Sequence, residues 1–359
     1  MRIGIIVPGG MHKEREIPAL ISLASRLSRK HQVFVLSLAQ GQKETFFVDN
    51  AEVTVIPALA PFTQRGRLIQ QLVMAGSIFA RRNLDIIHGF WASHPGFIAG
   101  SLGRAFRIPI VVSIGGGELI WRSDIQYGGA NSRRRRLVTR SALAMATRVT
   151  VGSRFAQAYV PGNSLVVPLG AEFPRERESP ATPDGKFRIL HVANIQPVKA
   201  PEVMLKVIDR VLSSREDAVF DWVGVDTMNG AISKQVKKFG NRVRLHGRLP
   251  HRCLRPMYAS ADAYVHTSHY ESQCVALCEA ASFGVPIVAT SVGIAPELDG
   301  AIVHEPGDEQ SIAESICTLM RDRKFASLRS TRVKRWAETY NAEWTADTFE
   351  SIYSELKGI

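Results

Sequence analysis

The sequence predicts an α/β protein built from two doubly wound domains, and three observations carry that reading. The chain has 359 residues, too many for one typical core and suited to two domains of similar size. Short apolar strands alternate with amphipathic helices through both halves, the rhythm of an open, largely parallel sheet covered on both faces. Between the halves, residues 172–186 are rich in Pro, Glu, Arg and Gly, as a linker is.

In the first half, a strand at 3–7 is followed by Gly9 and Gly10, a helix over 17–27 and a strand at 33–36. Strands at 85–88, 110–113 and 149–151 continue a rhythm that is Rossmann-like. No G-x-G-x-x-G follows the first strand, so a hydride-transfer enzyme holding NAD there is not favoured. After the linker, strands at 187–192, 220–224, 243–247 and 263–266 build the second domain. The last helix, 344–357, carries Phe349, Ile352, Tyr353 and Leu356 at helical spacing, which usually means plain core. The expected organisation is a domain 1–170, a linker 171–186, a domain 187–343 and a terminal helix 344–359.

Composition narrows the function classes. Hydrophobic residues make up 45% of the chain, an ordinary value for a soluble globular protein. No run of 18 apolar residues occurs and the first strand is too short for a signal peptide's apolar core, so a cytoplasmic protein, or one peripheral on the cytosolic face of a membrane, is expected. Cys253, Cys274, Cys278 and Cys317 show no framework spacing, and reduced thiols are expected. With His266 and His269 upstream, Cys274 and Cys278 match no common structural zinc pattern, and they read as small residues on a packed helix.

The net charge of +12 lies entirely in the first half: residues 1–180 hold 23 Lys+Arg against 11 Asp+Glu, whereas 181–359 hold 22 of each. Arg133, Arg134, Arg135 and Arg136 run together, with Arg140 and Arg148 following. Such a half suits an anionic membrane or an anionic acceptor, and an arginine run is also commonly a solvated face. No recognition motif accompanies the charge, so nucleic acid is not an expected partner.

The most informative feature is a pair of carboxylates, Glu271 and Glu279, with seven residues between them. Eight helical steps rise about 12 Å, close to the reach from ribose to sugar in a nucleotide-diphosphate sugar. The first helical turn between them would offer N–H groups and the positive end of the helix dipole to a diphosphate. Two solvated carboxylates on an ordinary helix are the plain alternative. After Glu279, the run from Ala280 to Thr290 reads as a helix end, a glycine stop at Gly284, Pro286 and a buried strand.

The stretch from Tyr264 through His266, Ser268, Glu271, Glu279, Gly284 and Pro286 to Gly293, Pro296, Glu297 and Leu298 resembles the donor-site signature of the retaining group-one glycosyltransferases. That resemblance implies the GT-B fold, two Rossmann-like doubly wound domains facing a central cleft, and a terminal helix that packs back on the first domain. It implies donor-sugar contacts at Glu271, ribose contacts at Glu279, and contacts around Ser272, Gln273, Cys274 and Val275. The family often has glycine at positions 272 and 274. Asn194 and Lys199 match the segment whose arginine and lysine clamp the donor diphosphate, with Asn194 in the arginine's place. Lys199 as a fixed cation would stabilise the departing diphosphate; a lone lysine near a helix start is otherwise a solvated residue. Arg248 and Leu249 fall where the family's backbone often meets the nucleobase, and Gly9 and Gly10 in a loop near donor and acceptor.

On the acceptor side, Ser113-Ile114-Gly115-Gly116-Gly117-Glu118 stands where the family has a strand, a His-Gly loop and an acidic residue, with Gly115 replacing the histidine. The triglycine lets backbone approach a ligand closely. Glu118 is a catalytic candidate beside Glu271 and Lys199, and His88 and His94 are the remaining acceptor-side candidates, each otherwise a hydrogen-bonded structural residue. No Asp-x-Asp pair occurs, and neither a metal nor a cofactor is expected. The resemblance implies sugar transfer to a hydroxyl of a glycan or lipid-linked acceptor, in polysaccharide, lipopolysaccharide or glycolipid synthesis. The alternatives are a non-catalytic nucleotide-sugar-binding protein and a sugar-nucleotide epimerase or hydrolase on the same fold.

Overall fold

The structure, a computed structural model, describes residues 1–9, 11–12, 15–39, 43–57, 64–172 and 185–358. Gly10 and residues 173–184 of the expected linker lie outside them. Contacts divide the chain into two units, one of Met1–Ser123, Tyr127–Leu169 and Ala342–Ile359, the other of Asp124–Gln126 and Gly170–Asn341.

In the first unit the strands are β1 (Arg2–Val7), a short hairpin of β2 (Met11–His12) and β3 (Arg15–Glu16), β4 (Gln32–Ala39), β5 (Glu44–Val48), β6 (Ala51–Pro57), β7 (Ile86–Phe90), β8 (Ile110–Ile114), β9 (Arg148–Val151) and β10 (Leu165–Val166). The main sheet runs β10-β9-β8-β7-β1-β4-β6-β5, parallel except for β5, which pairs antiparallel with β6. Helices α1 (Pro18–Leu27), α2 (Gln64–Phe79), α3 (His94–Phe106), α4 (Arg133–Met145) and the single turn α5 (Arg154–Gln157) connect them. The β6-α2-β7, β7-α3-β8 and β8-α4-β9 crossovers all step the same way across the sheet. Right-handed connections therefore place α2, α3 and α4 on one face, where Ala75, Phe79, Ile98 and Leu102 share a core with Ile6, Leu36 and Val112. The other face is packed by α1 and by the chain's last helix, whose Phe349, Ile352 and Tyr353 join Ile3, Leu20 and Val33.

In the second unit, β11 (Phe187–Val192), β12 (Ala218–Val223), β13 (Val243–Gly247), β14 (Ala263–His266), β15 (Ile287–Thr290) and β16 (Ile302–His304) form an all-parallel sheet in the order β13-β12-β11-β14-β15-β16. Its helices are α6 (Pro201–Ser214), α7 (Ala231–Val236), α8 (Leu254–Ser260), α9 (Val275–Ser282), α10 (Glu309–Arg321) and α11 (Arg323–Thr339). The last helix of the chain, α12, spans Ala342–Lys357. The strands read as near-continuous apolar runs because both sheet faces are covered; every residue of β14 and β15 is buried. The strand order reverses between β11 and β14, and ligands of such sheets bind beyond the carboxyl ends of strands at that point.

Candidate functional site

The chain leaving β14 carries the first cluster. His266 ends the strand, and Thr267 and Ser268 are fully buried after it. Thr290 Oγ1 donates to Ser268 O at 2.7 Å, and His269 N to Val198 O at 2.8 Å, which fixes this loop to β15 and to the turn before α6. Three donors then converge on one oxygen of Glu271: Lys199 Nζ at 2.5 Å, Ser268 Oγ at 2.7 Å and His266 Nε2 at 2.8 Å from Oε1. Among the described residues Oε2 receives none. Burial alone would raise the Glu271 carboxyl, but the Lys199 ammonium and the His266 ring outweigh it and hold the group well below the usual carboxylate range. The result is a desolvated carboxylate and a cation fixed at its side.

Backbone geometry sets this cluster, and it departs from the sequence expectation. Glu271 is not helical: α9 begins only at Val275, because Cys274 takes a left-handed conformation, φ 78°. The two carboxylates are thus separated by an irregular loop and part of an eight-residue helix, not by eight helical steps. The helix ends as its sequence requires, with Gly284 at φ 67° and Val285 N bonded to Ala280 O. Gly293, at φ 60°, lets the β15 loop lie against the Glu271 loop; a Cβ there would stand 2.5 Å from Gln273 O and 2.7 Å from Glu271 Cβ. Ser272 and Gln273 are buried, and Gln273 Nε2 lies 3.5 Å from Cys278 Sγ.

Glu279 is held from the side of α8. His251 Nε2 lies 2.8 Å from Oε1 and Tyr258 Oη donates to Oε2 at 2.7 Å. Neither partner is signalled in the sequence, since Tyr258 on α8 and His251 in the turn before it lie 21 and 28 residues upstream. Asn194 Oδ1 accepts from Val225 N at 2.9 Å and so orders the loop after β11 rather than presenting charge. Leu249 packs in the same core as Tyr258, and Arg248 is exposed.

His266, Glu271 and Cys274 place one ligand atom each within 4.8 Å of one another. That triad differs from the cysteine pair weighed above, for Cys278 faces the core. Burial, with Glu271 nearby, raises the Cys274 thiol well above its ordinary value, and Lys199 already supplies a cation to the carboxylate.

In the first unit, the loop after β8 is built around Glu118. Its Oε1 accepts from Ala92 N at 3.2 Å and Gly115 N at 3.1 Å, and its Oε2 from Gly116 N at 2.7 Å. Burial raises this carboxyl even though those N–H groups favour its charge. Glu118 thus ties the loop together. The triglycine is spent on internal packing: a Cβ on Gly115 would meet the Trp91 indole at 2.5 Å and one on Gly117 the Tyr127 ring at 2.7 Å. Trp91, itself at φ 71°, fills the space a side chain at 115 would need, a feature no local pattern announces. Gly9 takes φ 129° after β1.

His88 is corrected from acceptor-side candidate to core. It is fully buried, Nδ1 lies 2.6 Å from Tyr353 Oη, Nε2 lies 2.7 Å from Ser113 Oγ, and burial lowers its pKa to about 3. His94 opens α3, half-buried, with its pKa lowered by burial and by Arg134 and Arg135.

Residues 19–169 match the glycosyl transferase 4-like domain and residues 186–322 match glycosyl transferases group 1. The chain belongs to the group-one glycosyltransferases. This glycosyltransferase is 24% identical over 317 residues to D-inositol 3-phosphate glycosyltransferase of Arthrobacter sp. (strain FB24), covering 79% of this chain and 74% of that one. Its fold is GT-B. Sucrose-phosphate synthase from Thermosynechococcus elongatus superposes with a TM-score of 0.84 at 18% identity over 99% of both chains. Anabaena HepE, in complex with UDP and glucose, gives 0.79 at 18% identity, again over 99% of both chains.

Within this glycosyltransferase three of the four departures from the family pattern have local physical readings. Cys274 holds the left-handed position a glycine would take more easily. Asn194 replaces a cation by a neutral loop tie. Gly115 gives up a side chain to Trp91.

Proposed function

We propose that this glycosyltransferase moves a sugar from a nucleotide-diphosphate sugar to a hydroxyl of an acceptor, with retention of anomeric configuration and without a metal ion. The observation that carries the reading is the convergence of Lys199, Ser268 and His266 on Glu271 Oε1. It leaves Oε2 to accept from a sugar hydroxyl and fixes an ammonium where a diphosphate can reach it. The complex of HepE with UDP and glucose supports a nucleotide-sugar donor here too.

In the reaction the bond from the anomeric carbon to the diphosphate oxygen breaks, the acceptor oxygen bonds to that carbon on the same face, and the acceptor's proton passes to the departing phosphate. Lys199 and the first turn of α9 stabilise charge as it develops on the leaving group more than in the bound donor. Glu279, held by His251 and Tyr258, is the ribose partner. The basic first half favours an anionic or lipid-linked acceptor, and with it a place in cell-surface glycan or glycolipid synthesis on the cytosolic side of a membrane.

The test is a calorimetric titration of UDP, GDP and ADP, then of their sugar conjugates, with and without chelator. Chelator-insensitive binding of one nucleotide is expected. Glu279→Ala should weaken bare nucleotide, while Glu271→Ala should weaken only the sugar conjugate's added affinity and abolish turnover. No binding by any nucleotide would overturn the reading.

A further inference from the structure

Between Glu52 and Glu172 the chain carries 14 arginines, no lysine and three acidic residues, Asp85, Glu118 and Asp124. Asp85 is engaged by Arg2 N at 2.7 Å and Lys357 Nζ at 3.0 Å, and Glu118 is buried under backbone N–H groups. Helices α2, α3 and α4, side by side on one face of the sheet, contain no acidic residue at all.

Helix α4 opens with Arg133, Arg134, Arg135 and Arg136, four cations in the turn where the helix dipole is positive and an anion would be favoured. Among the described residues these four and Arg140 form no ion pair; Arg135 reaches only the neutral Asn131 Oδ1, at 3.3 Å. The arrangement opposes the helix's own field, and an external anion resolves it. The same face exposes aliphatic side chains where a soluble helix would place polar ones. Ile69 and Val73, one turn apart on α2, are 63% and 64% exposed, and Leu137 on α4 is 66% exposed.

We propose that the α2–α3–α4 face docks on an anionic phospholipid surface, with the α4 arginines on lipid phosphates and Ile69, Val73 and Leu137 entering the headgroup–acyl boundary. Guanidinium matches phosphate in two-point geometry, which suits a face built from arginine alone. Protruding aliphatics add buried apolar area that a lipid interface offers and a nucleic-acid backbone does not. Among the described residues no helix is long and apolar enough to cross a membrane, so this surface lies on a bilayer and does not span it. The inference accords with the lipid-linked acceptor proposed above but stands on different residues from the donor site.

The test is co-sedimentation of the full chain with phosphatidylcholine vesicles, with and without phosphatidylglycerol, across a salt series. Binding to the anionic vesicles only, weakening with salt, is expected. Arg133→Gln with Arg136→Gln should lower partitioning by roughly tenfold or more and flatten the salt dependence. Ile69→Ser with Val73→Ser should lower it while keeping the salt dependence. Nucleotide titration of each variant, unchanged, shows that the fold and donor site persist. Equal binding to neutral and anionic vesicles, no binding at low salt, variants indistinguishable from wild type, or tighter binding to single-stranded RNA than to vesicles would each overturn the proposal. Vesicle binding that survives while no nucleotide binds would leave this inference standing and remove the donor reading.

Discussion

Lys199 Nζ and Glu271 Oε1 lie 2.5 Å apart although 72 residues separate them in the chain. The lysine comes from the turn between β11 and α6 and the glutamate from the loop between β14 and α9. Their side chains are only 19% and 10% exposed, so neither charge is shared with bulk water.

Removing one partner should therefore leave the other charged and desolvated. Lys199→Met is expected to cost about 3 kcal/mol of stability, in the range for a broken buried pair, and Lys199→Met with Glu271→Gln to restore part of it. A double-mutant cycle by urea denaturation measures this. A single-mutant cost below about 0.5 kcal/mol would match a solvent-screened pair instead.

Two backbone positions should respond in opposite directions. Ala200, fully buried at φ 49°, holds a left-handed conformation that disfavours any Cβ, and Ala200→Gly is expected to be neutral or to stabilise by up to about 1 kcal/mol. Gly293→Ala adds a Cβ where Gln273 O and Glu271 Cβ already stand. It should destabilise by about 2 kcal/mol or more and weaken sugar-nucleotide binding, because the Glu271 loop must move. Thermal unfolding and donor titration of both variants check this.

Gly115 and Trp91 occupy one space between them. Gly115→His alone should destabilise the first unit, and Trp91→Ala alone should open a hole at the same place. The two together should cost less than their sum, with a coupling of about 1 kcal/mol or more. Additive costs would mean that the indole does not exclude a side chain at 115.

Acid should act through two buried rings. Burial lowers His88 to about 3, and burial with the nearby His266 lowers His191 to about 3. Both folded values lie below the ordinary 6.5, so between about pH 6.5 and 3 the unfolded chain binds more protons and stability falls as pH falls, by up to about 1.4 kcal/mol per unit for each ring. Glu271, also depressed, adds its own loss further into acid. Urea midpoints at pH 7 and 5 should differ, and His88→Asn should reduce that difference while lowering stability at both. An unchanged pH slope in the variant would show that His88 titrates normally.

The alternation of strands and helices, the two α/β domains and the stop at Gly284 were legible in the sequence alone. Those features depend on side-chain periodicity and on single residues with restricted backbone geometry, which act within a few positions. The sequence did not reveal that a left-handed Cys274 would delay the start of α9, nor that the Gly293 loop would pack against Glu271 and Gln273. Nor did it reveal the antiparallel edge strand β5, or the tie from His88 to Tyr353 across 265 residues. The grip of Tyr258 and His251 on Glu279 and the place of Trp91 over Gly115 were equally hidden. Apart from the local β5–β6 hairpin, these are contacts between segments well separated in the chain. Periodicity says which face of an element is apolar, but only the register and stacking of the assembled sheet decide which side chain meets which.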